Sequence, residues 1–237
     1  MIQFHKKGIL MEDRIWLIFG FLGHNQFVQL IVHTLLAAFL AVFVAKLATR
    51  KLTIVPGGCQ NVMEAVVSGI LYIGKDVASE KVARKYLTLA GSLAIFIFFG
   101  NLLEIIPGFE PPTGNVNLTL TLALIVFIYY HYEGIKAQGL GHYIAHFAGP
   151  VKWLSPLMFP VEVLSHFSRI ISLSFRLFGN IKGDDLFLLV LLMLAPWVFP
   201  LAGFALMTFS AVLQAFVFMV LTYVYLYGAI TGSEEAL

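Results

Sequence analysis

Charged side chains are scarce in this chain of 237 residues: Asp, Glu, Lys and Arg together make up 12% of it, against 59% hydrophobic residues. This composition is typical of an integral membrane protein and leaves no stretch polar enough for a separate soluble domain. The formal net charge of +2 is too small and too dispersed to indicate nucleic-acid binding. We therefore expect one membrane domain over residues 1–237, in contact with lipid and without a nucleic-acid partner.

Cysteine and the common catalytic motifs are also missing or nearly so. The one cysteine, Cys59, excludes an internal disulfide and a cysteine metal cage. No GxxxxGK[ST] loop occurs, so nucleotide chemistry must belong to other proteins. Neither GxSxG nor HExxH is present, which disfavours an intramembrane hydrolase or a metal oxidase. His142 and His146 are spaced as metal-ligand pairs can be, but without a second pair we expect no metal and no cofactor.

Apolar runs long enough to cross a bilayer predict about five transmembrane helices. An N-terminal segment, residues 1–25, lacks the layout of a cleavable signal peptide because charges interrupt it. An amphipathic helix over residues 58–77 is predicted to lie at the membrane interface. The chain is thus predicted to be an all-α integral membrane protein, with spans over residues 27–45, 86–103, 117–132, 153–195 and 201–231.

Prolines and polar residues mark the predicted connections. Pro107, Pro111 and Pro112 forbid helix after the second span. Residues 131–150 are expected to form a short polar connection. A turn is expected around Pro196 and Pro200, before the final helix.

The distribution of Lys and Arg predicts the orientation, because cytoplasmic loops carry an excess of these residues. None lies in the loops 104–116 and 195–201. Three basic residues precede the first span and argue the other way. The balance predicts an external N-terminus and a cytoplasmic C-terminus, since nine basic residues lie in the segments assigned to the cytoplasm: Lys46, Arg50, Lys51, Lys75, Lys81, Arg84, Lys85, Lys136 and Lys152.

Polar residues recur every three or four positions along the predicted fourth span, whose other face is apolar. An arginine at the centre of a bilayer costs about 2.5 to 3.5 kcal/mol on insertion scales, so such residues face water or an acidic partner. The pattern predicts a polar track through the membrane. The alternative is that GNIKGDD, residues 179–185, is a loop between two spans. The polar stripe comprises Glu162, Ser165, Arg169, Ser172, Arg176, Asn180 and Asp184.

Three separated motifs resemble subunit a of the F-type ATP synthase. They are SFRLFGN at residues 174–180, LQAFVFMVLTYVY at residues 213–225, and NLLEIIP at residues 101–107 with NVNLT behind it. The resemblance covers about residues 56–230. It implies a non-catalytic stator subunit in a bacterial plasma membrane. The partners it implies are a rotating ring of c subunits, the peripheral-stalk b subunits and the rest of the synthase complex.

The resemblance also implies that two long, tilted C-terminal helices form a hairpin against the ring, with Arg176 as the family's essential arginine. A fixed cation near a carboxylate favours its ionised form, so a ring carboxylate passing Arg176 would release its proton. Arginine suits this task because it does not itself deprotonate. The translocated ion is expected to be a proton.

Two offset half-channels follow from the resemblance, because a continuous pore would dissipate the gradient. The inner path is expected to use Glu162, Ser165, Ser168 and Ser172, and the outer path Asn180, Asp184, Asp185 and Gln214, with Glu104, Asn115 and Asn117 near its mouth. Arg169 and Tyr225 are expected to face the ring, although Tyr225 also fits an interfacial anchor. The two asparagines at the mouth fit either helix caps or water ligands. Asp185 is expected to point toward the final helix, where Gln214 lies.

One position departs from the family pattern. Some members carry a histidine where this chain has Met207 and a glycine where it has Asp184. Asp184 is therefore a candidate for the missing titratable group, unless it pairs locally with Lys182 or with lipid headgroups.

A competing interpretation is a secondary transporter that binds an anionic solute through Arg169 and Arg176. Such transporters are built from internal repeats with broken helices. No internal repeat is evident in the sequence, so the stator interpretation is preferred.

Overall fold

The structure is a computed structural model that describes residues 26–50, 52–55, 57–106, 108–141, 143, 155–195 and 197–231. Within these ranges there are six long helices and no strand, which confirms the prediction of an all-α protein. The predictions for residues 1–25, and for His142 and His146, lie outside the described residues. The helices are α1 Gln26–Thr49, α2 Gly58–Val77, α3 Glu80–Leu102, α4 Val116–Gln138, α5 Ser155–Leu194 and α6 Phe199–Thr231.

Four of these helices, α1, α3, α4 and α6, are long and apolar enough to cross a membrane. The remaining long candidate is α5, which has 40 residues and would extend for about 60 Å at 1.5 Å per residue. Because of its polar stripe, α5 is not among the helices whose length and composition identify them as candidate membrane spans. A helix of this length exceeds the roughly 30 Å of a bilayer's hydrocarbon core, so it fits a membrane only when steeply tilted or protruding.

Side-chain caps and turn residues determine where two of the helices begin and end. The Ser79 hydroxyl accepts a hydrogen bond from the Val82 amide at 3.4 Å and starts α3. The Asn115 side chain accepts from the Asn117 amide at 2.9 Å and starts α4. Gly139 ends α4 with a φ of 80°, a conformation that glycine adopts without steric cost.

The core lies among α3, α4, α5 and α6, and α6 packs most extensively on α3. Large aromatic side chains fill it, namely Tyr86, Tyr130, Phe218 and Tyr223, all of them almost fully buried. The helices α5 and α6 run antiparallel and approach closely at Gly203, where an added Cβ would lie 2.9 Å from Leu188 Cδ1. The two C-terminal helices therefore form the predicted hairpin.

Two predicted connections are helical instead. The helix α4 continues to Gln138, so residues 131–138 are not part of a polar connection. Pro200 is the second residue of α6 rather than a turn residue, because its missing N–H is harmless in the first turn of a helix. Pro196 lies outside the described residues.

The sequence GNIKGDD lies entirely inside α5. This excludes the alternative in which residues 179–185 form a loop between two spans. The polar stripe therefore stays on one continuous helix, from Glu162 to Asp184.

The contact between α4 and α6 leaves no room for a side chain at Gly134. A Cβ there would lie 2.7 Å from Tyr143 Cε2 and 3.1 Å from the backbone oxygen of Ala229. We expect Gly134→Ala to destabilise the protein by about 1–3 kcal/mol through overpacking, measured by thermal unfolding in detergent. Gly69→Ala is the control, since nothing lies within 4 Å of that position. Equal unfolding temperatures for the two variants would contradict this packing.

Candidate functional site

The polar stripe of α5 runs along the edge of the face that packs on α4 and α6. Arg176 is exposed and precedes the fully buried Leu177, while Asn180 is half-buried and precedes the buried Ile181. The stripe is therefore neither inside the helix bundle nor on its far surface. It lies at the edge of the packed face, so that its residues are half-buried or exposed.

Arg176 lies on an exposed face of α5 and has exposed apolar side chains beside it. Its neighbours on α5, Ile171 and Phe175, are 54% and 57% exposed. Among the described residues, Arg176 has no hydrogen bond, no ion pair and no cation–π contact. A guanidinium without a partner among the described residues is costly in a membrane unless it meets water or an acidic group from elsewhere.

On the C-terminal side of Arg176 along α5, two amides join α5 to α6. Asn180 Nδ2 donates a hydrogen bond to Gln214 Oε1 at 2.6 Å. The Gln214 side chain is 1% exposed, and its Nε2 has no partner in the part of the chain that the structure describes. Buried amide groups are normally satisfied, so this nitrogen indicates a site for water or another polar group. The predicted outer-path pair Asn180 and Gln214 is in direct contact.

Acidic residues gather one turn further along α5. Glu104, from the short 3₁₀ turn Leu103–Ile105 after α3, is buried and has Asp184 and Asp185 as electrostatic neighbours. Glu104 Oε1 and Asp184 Oδ2 are buried without hydrogen-bond partners among the described residues. The carboxylate in the turn after α3 and the two carboxylates of α5 thus form one polar region, next to the contact between Asn180 and Gln214.

The prediction that Asp185 points toward the final helix is wrong. Asp185 Oδ2 accepts a hydrogen bond from Lys182 Nζ at 2.9 Å, because the two residues are three positions apart on α5. Asp184 is the aspartate that faces α6, where Ser210 lies beside it. The local partner of Lys182 is therefore Asp185 and not Asp184.

The two asparagines predicted at the mouth of the outer path occupy the start of α4. Asn115 is its N-cap, and the exposed Asn117 supplies the amide that is capped. Of the two predicted roles, helix cap or water ligand, the cap is confirmed for Asn115. Nearby, the buried Asn101 accepts a hydrogen bond from Thr113 at 2.6 Å, and its Nδ2 has no partner among the described residues.

On the other side of Arg176, Glu162 belongs to a buried polar cluster. His166 Nε2 lies 3.5 Å from Glu162 Oε1, and His166 Nδ1 lies 2.7 Å from the Tyr130 hydroxyl on α4. Arg169 stacks over the ring of Tyr225 on α6, with its guanidinium carbon 5.4 Å from the ring centroid. Three helices thus contribute to the cluster.

The predicted inner-path serines are more open than Glu162. Ser168 and Ser172 are exposed, on the same side of α5 as Arg176, and Ser165 is half-buried. The two residues expected to face the ring, Arg169 and Tyr225, contact each other, and both are half-buried. The stripe is therefore open near Arg176 and enclosed toward Glu162.

Sequence reasoning missed two members of the inner cluster, His166 and Tyr130. The spacing of four between Glu162 and His166 is a usable signal, because such pairs share a helix face. Nothing local marks Tyr130, which lies 36 residues away on another helix. It also missed the buried Glu133, which accepts hydrogen bonds from Lys85 and Tyr86, both at 2.6 Å, and ties α3 to α4.

Comparison with known proteins gives a consistent result. The chain matches the family described as ATP synthase A chain over residues 29–227. It is 65% identical over 225 residues to the ATP synthase subunit a of a Nitratiruptor species, covering 95% of this chain and 100% of that protein. Identity is 58% over 225 residues with the ATP synthase subunit a of Helicobacter hepaticus, at the same coverage. With that of Helicobacter pylori it is 55% over 224 residues, which are 94% of this chain and 99% of the relative.

The amide pair between α5 and α6 makes a stability prediction. Replacing Asn180 by Leu leaves the buried Gln214 without its partner, which costs about 1–3 kcal/mol for an unsatisfied polar group. The double variant Asn180→Leu with Gln214→Leu should recover most of that loss. Thermal unfolding of the two single variants and the double variant measures the coupling. Purely additive effects would show that the amides do not interact.

Proposed function

Because this chain belongs to the ATP synthase A chain family, we propose that it is the proton-translocating stator subunit of an F-type ATP synthase. The family membership confirms the resemblance drawn from the three motifs, and the chain is a membrane-sector subunit. Membership does not favour the competing solute transporter. In the proposed function, protons cross by two offset half-channels that meet a rotating c ring on either side of Arg176. The chain couples this flow to rotation without catalysing ATP synthesis itself.

The exposure of Arg176 is the observation that supports this proposal. An arginine that has no partner among the described residues, next to exposed apolar side chains such as Ile171 and Phe175, fits a surface covered by another protein that supplies a carboxylate. A ring helix carrying one carboxylate meets both needs, since its apolar side chains would cover the face. The guanidinium would hold that carboxylate ionised while it passes.

Arg176 would also act as the barrier between the two paths. A protonated, neutral carboxyl group on the ring can move through lipid, but it loses its proton where a fixed cation favours the ionised form. A permanent positive charge further repels any proton moving directly from one path to the other. Arginine keeps its charge throughout because it does not deprotonate in proteins.

The outer half-channel would lie between α3, α5 and α6. Its lining is supported by the contact between Asn180 and Gln214 and by the acidic region of Glu104, Asp184 and Asp185. Polar atoms that are buried without protein partners are suited to binding water, and several occur here among the described residues. A chain of such waters would deliver protons to the ring carboxylate.

The inner half-channel would begin at Glu162, whose side chain is 30% exposed, and reach the ring past Ser168 and Ser172. The excess of Lys and Arg around α2 and the start of α3 supports a cytoplasmic location for this side. The C-terminus would then be cytoplasmic and the N-terminus external. The peripheral-stalk b subunits and the ring are the expected partners in the complex.

Replacing Arg176 tests the central role. We expect Arg176→Ala to abolish ATP-driven proton pumping and ATP synthesis in vesicles, because nothing then forces the ring carboxylate to release its proton. Passive proton movement through the intact complex should persist or rise. Arg84→Ala is the matched control, since Arg84 is exposed and its one ion pair with the described residues is with Glu80, one turn away. Pumping near the normal rate in assembled Arg176→Ala complexes would refute the proposal.

Asp184 is proposed as the titratable group of the outer path in place of a histidine at position 207. It lies beside Ser210 of α6, and Met207 is one turn earlier on the same helix and buried. Asp184→Gly should slow proton flow while assembly is kept, and adding Met207→His should partly restore it.

The control for Asp184→Gly is Asp76→Gly, which places the same glycine in a helix at an exposed aspartate of α2. It should leave the pumping rate unchanged. Normal pumping in Asp184→Gly, measured per assembled complex, would eliminate Asp184 from the path.

A further inference from the structure

His166 lies between a half-exposed carboxylate and a buried phenol. Its Nε2 is 3.5 Å from Glu162 Oε1, and its Nδ1 is 2.7 Å from the hydroxyl of Tyr130. The imidazole itself is buried at the contact of α4 and α5. Both ring nitrogens are thus directed at groups that exchange protons.

The two contacts of His166 suit the transfer of a proton. Glu162 lies at ion-pair distance from Nε2, and a neutral ring that carries its proton at Nε2 accepts the hydroxyl proton of Tyr130 at Nδ1. Histidine is also the side chain whose unperturbed charge changes between about pH 5 and 8.

Several titratable or charged groups surround His166. On α5, the charged groups nearest to it in sequence on either side are Glu162, one turn before it, and Arg169, three residues after it. From α4, the Tyr130 hydroxyl and the neighbouring His131 ring, 5.0 Å from that of His166, face it. From α6, Tyr225 lies behind Tyr130, with ring centroids 6.1 Å apart.

The separation of Glu162 from Arg176 along α5 shows why a proton path between them needs further residues. Glu162 precedes Arg176 by fourteen residues, which is about 21 Å at 1.5 Å per residue. The Glu162 side chain alone does not cover this separation. His166 and Tyr130 extend the polar connection inward to the contact between Arg169 and Tyr225, and Arg169 is only about 10 Å from Arg176 along α5.

We propose that His166 is a proton-exchanging residue of the inner half-channel, with Glu162 on its exposed side and Tyr130 on its buried side. This inference rests on the proposed function of the chain.

In the synthesis direction, Tyr130 passes its hydroxyl proton to Nδ1 as it takes the excess proton from a hydronium ion that arrives from the ring, which leaves neutral water. The Nε2 proton passes to the Glu162 carboxylate, and the resulting acid releases a proton to water. One proton enters and one leaves, after which the hydrogen bonds reorient to restore the starting arrangement. Pumping uses the same steps in reverse.

The test is His166→Gln in the whole ATP synthase complex, assayed in inverted membrane vesicles. Glutamine keeps a hydrogen-bonding side chain but does not titrate. We expect ATP-driven pumping per assembled complex to fall about tenfold or more. Its dependence on the pH of the medium facing Glu162 should flatten between about pH 5 and 8. A rate and pH profile equal to those of the unaltered complex would overturn the proposal.

Two further variants separate proton exchange from structure. His33→Gln is the matched control, since His33 is 1% exposed and its Nδ1 contacts the Gln29 carbonyl at 2.8 Å on α1, away from the cluster. It should leave both rate and pH profile unchanged. Tyr130→Phe keeps the ring and removes the hydroxyl, and it should reduce pumping and alter the same part of the pH profile.

If His166→Gln does not assemble, Tyr130→Phe decides, and an unchanged pH profile in that variant overturns the proposal. Arg176→Ala is measured in parallel. Loss of pumping in Arg176→Ala with normal pumping in His166→Gln refutes only the role of His166. Normal pumping in both variants refutes the proposed function itself.

Discussion

A guanidinium that has no partner within the described chain is the constraint on which the proposed function depends. Arg176 stands on an exposed face of α5 beside apolar side chains, where an isolated charge is costly in a membrane. Satisfying it from within would remove the exposed cation that a passing carboxylate needs. The fold keeps it open by placing the stripe at the edge of the packed face, so that Leu177 is buried while Arg176 faces outward.

The antiparallel hairpin of α5 and α6 arranges polar groups on both sides of this arginine. Toward one end, Asn180 meets Gln214, and the carboxylates of Glu104 and Asp184 follow. Toward the other end, α4 joins the hairpin through the contact of Tyr130 with His166. Because the two polar regions lie on opposite sides of Arg176 along α5, the proposed function assigns one path to each of them. The length of α5, about 60 Å, makes this separation possible.

Periodicity along one helix was sufficient to predict the polar stripe, since residues three or four apart share a face. The same reasoning chose Asp185 as the aspartate that points toward α6, whereas in the structure Asp185 pairs with Lys182 and Asp184 lies beside Ser210 of α6. Periodicity could not identify Tyr130, because its partner His166 is distant in sequence and lies on another helix. Proline signals also misled at Pro200, which the first turn of α6 accommodates. Contacts between helices are what the sequence pattern does not encode.

Whether a ring helix covers the face of Arg176 is most directly measured by cysteine cross-linking in the assembled complex. Ser172 is exposed on that face, one turn from Arg176, and Cys59→Ser removes the single native cysteine. Ser172→Cys should form a disulfide with a cysteine placed one turn from the ring carboxylate. After the disulfide is reduced, ATP-driven rotation and reoxidation should join Ser172→Cys to a different subunit of the ring. Absence of the cross-link, with Ser172→Cys equally reactive toward a lipid-soluble maleimide in the complex and in the isolated subunit, would contradict the account.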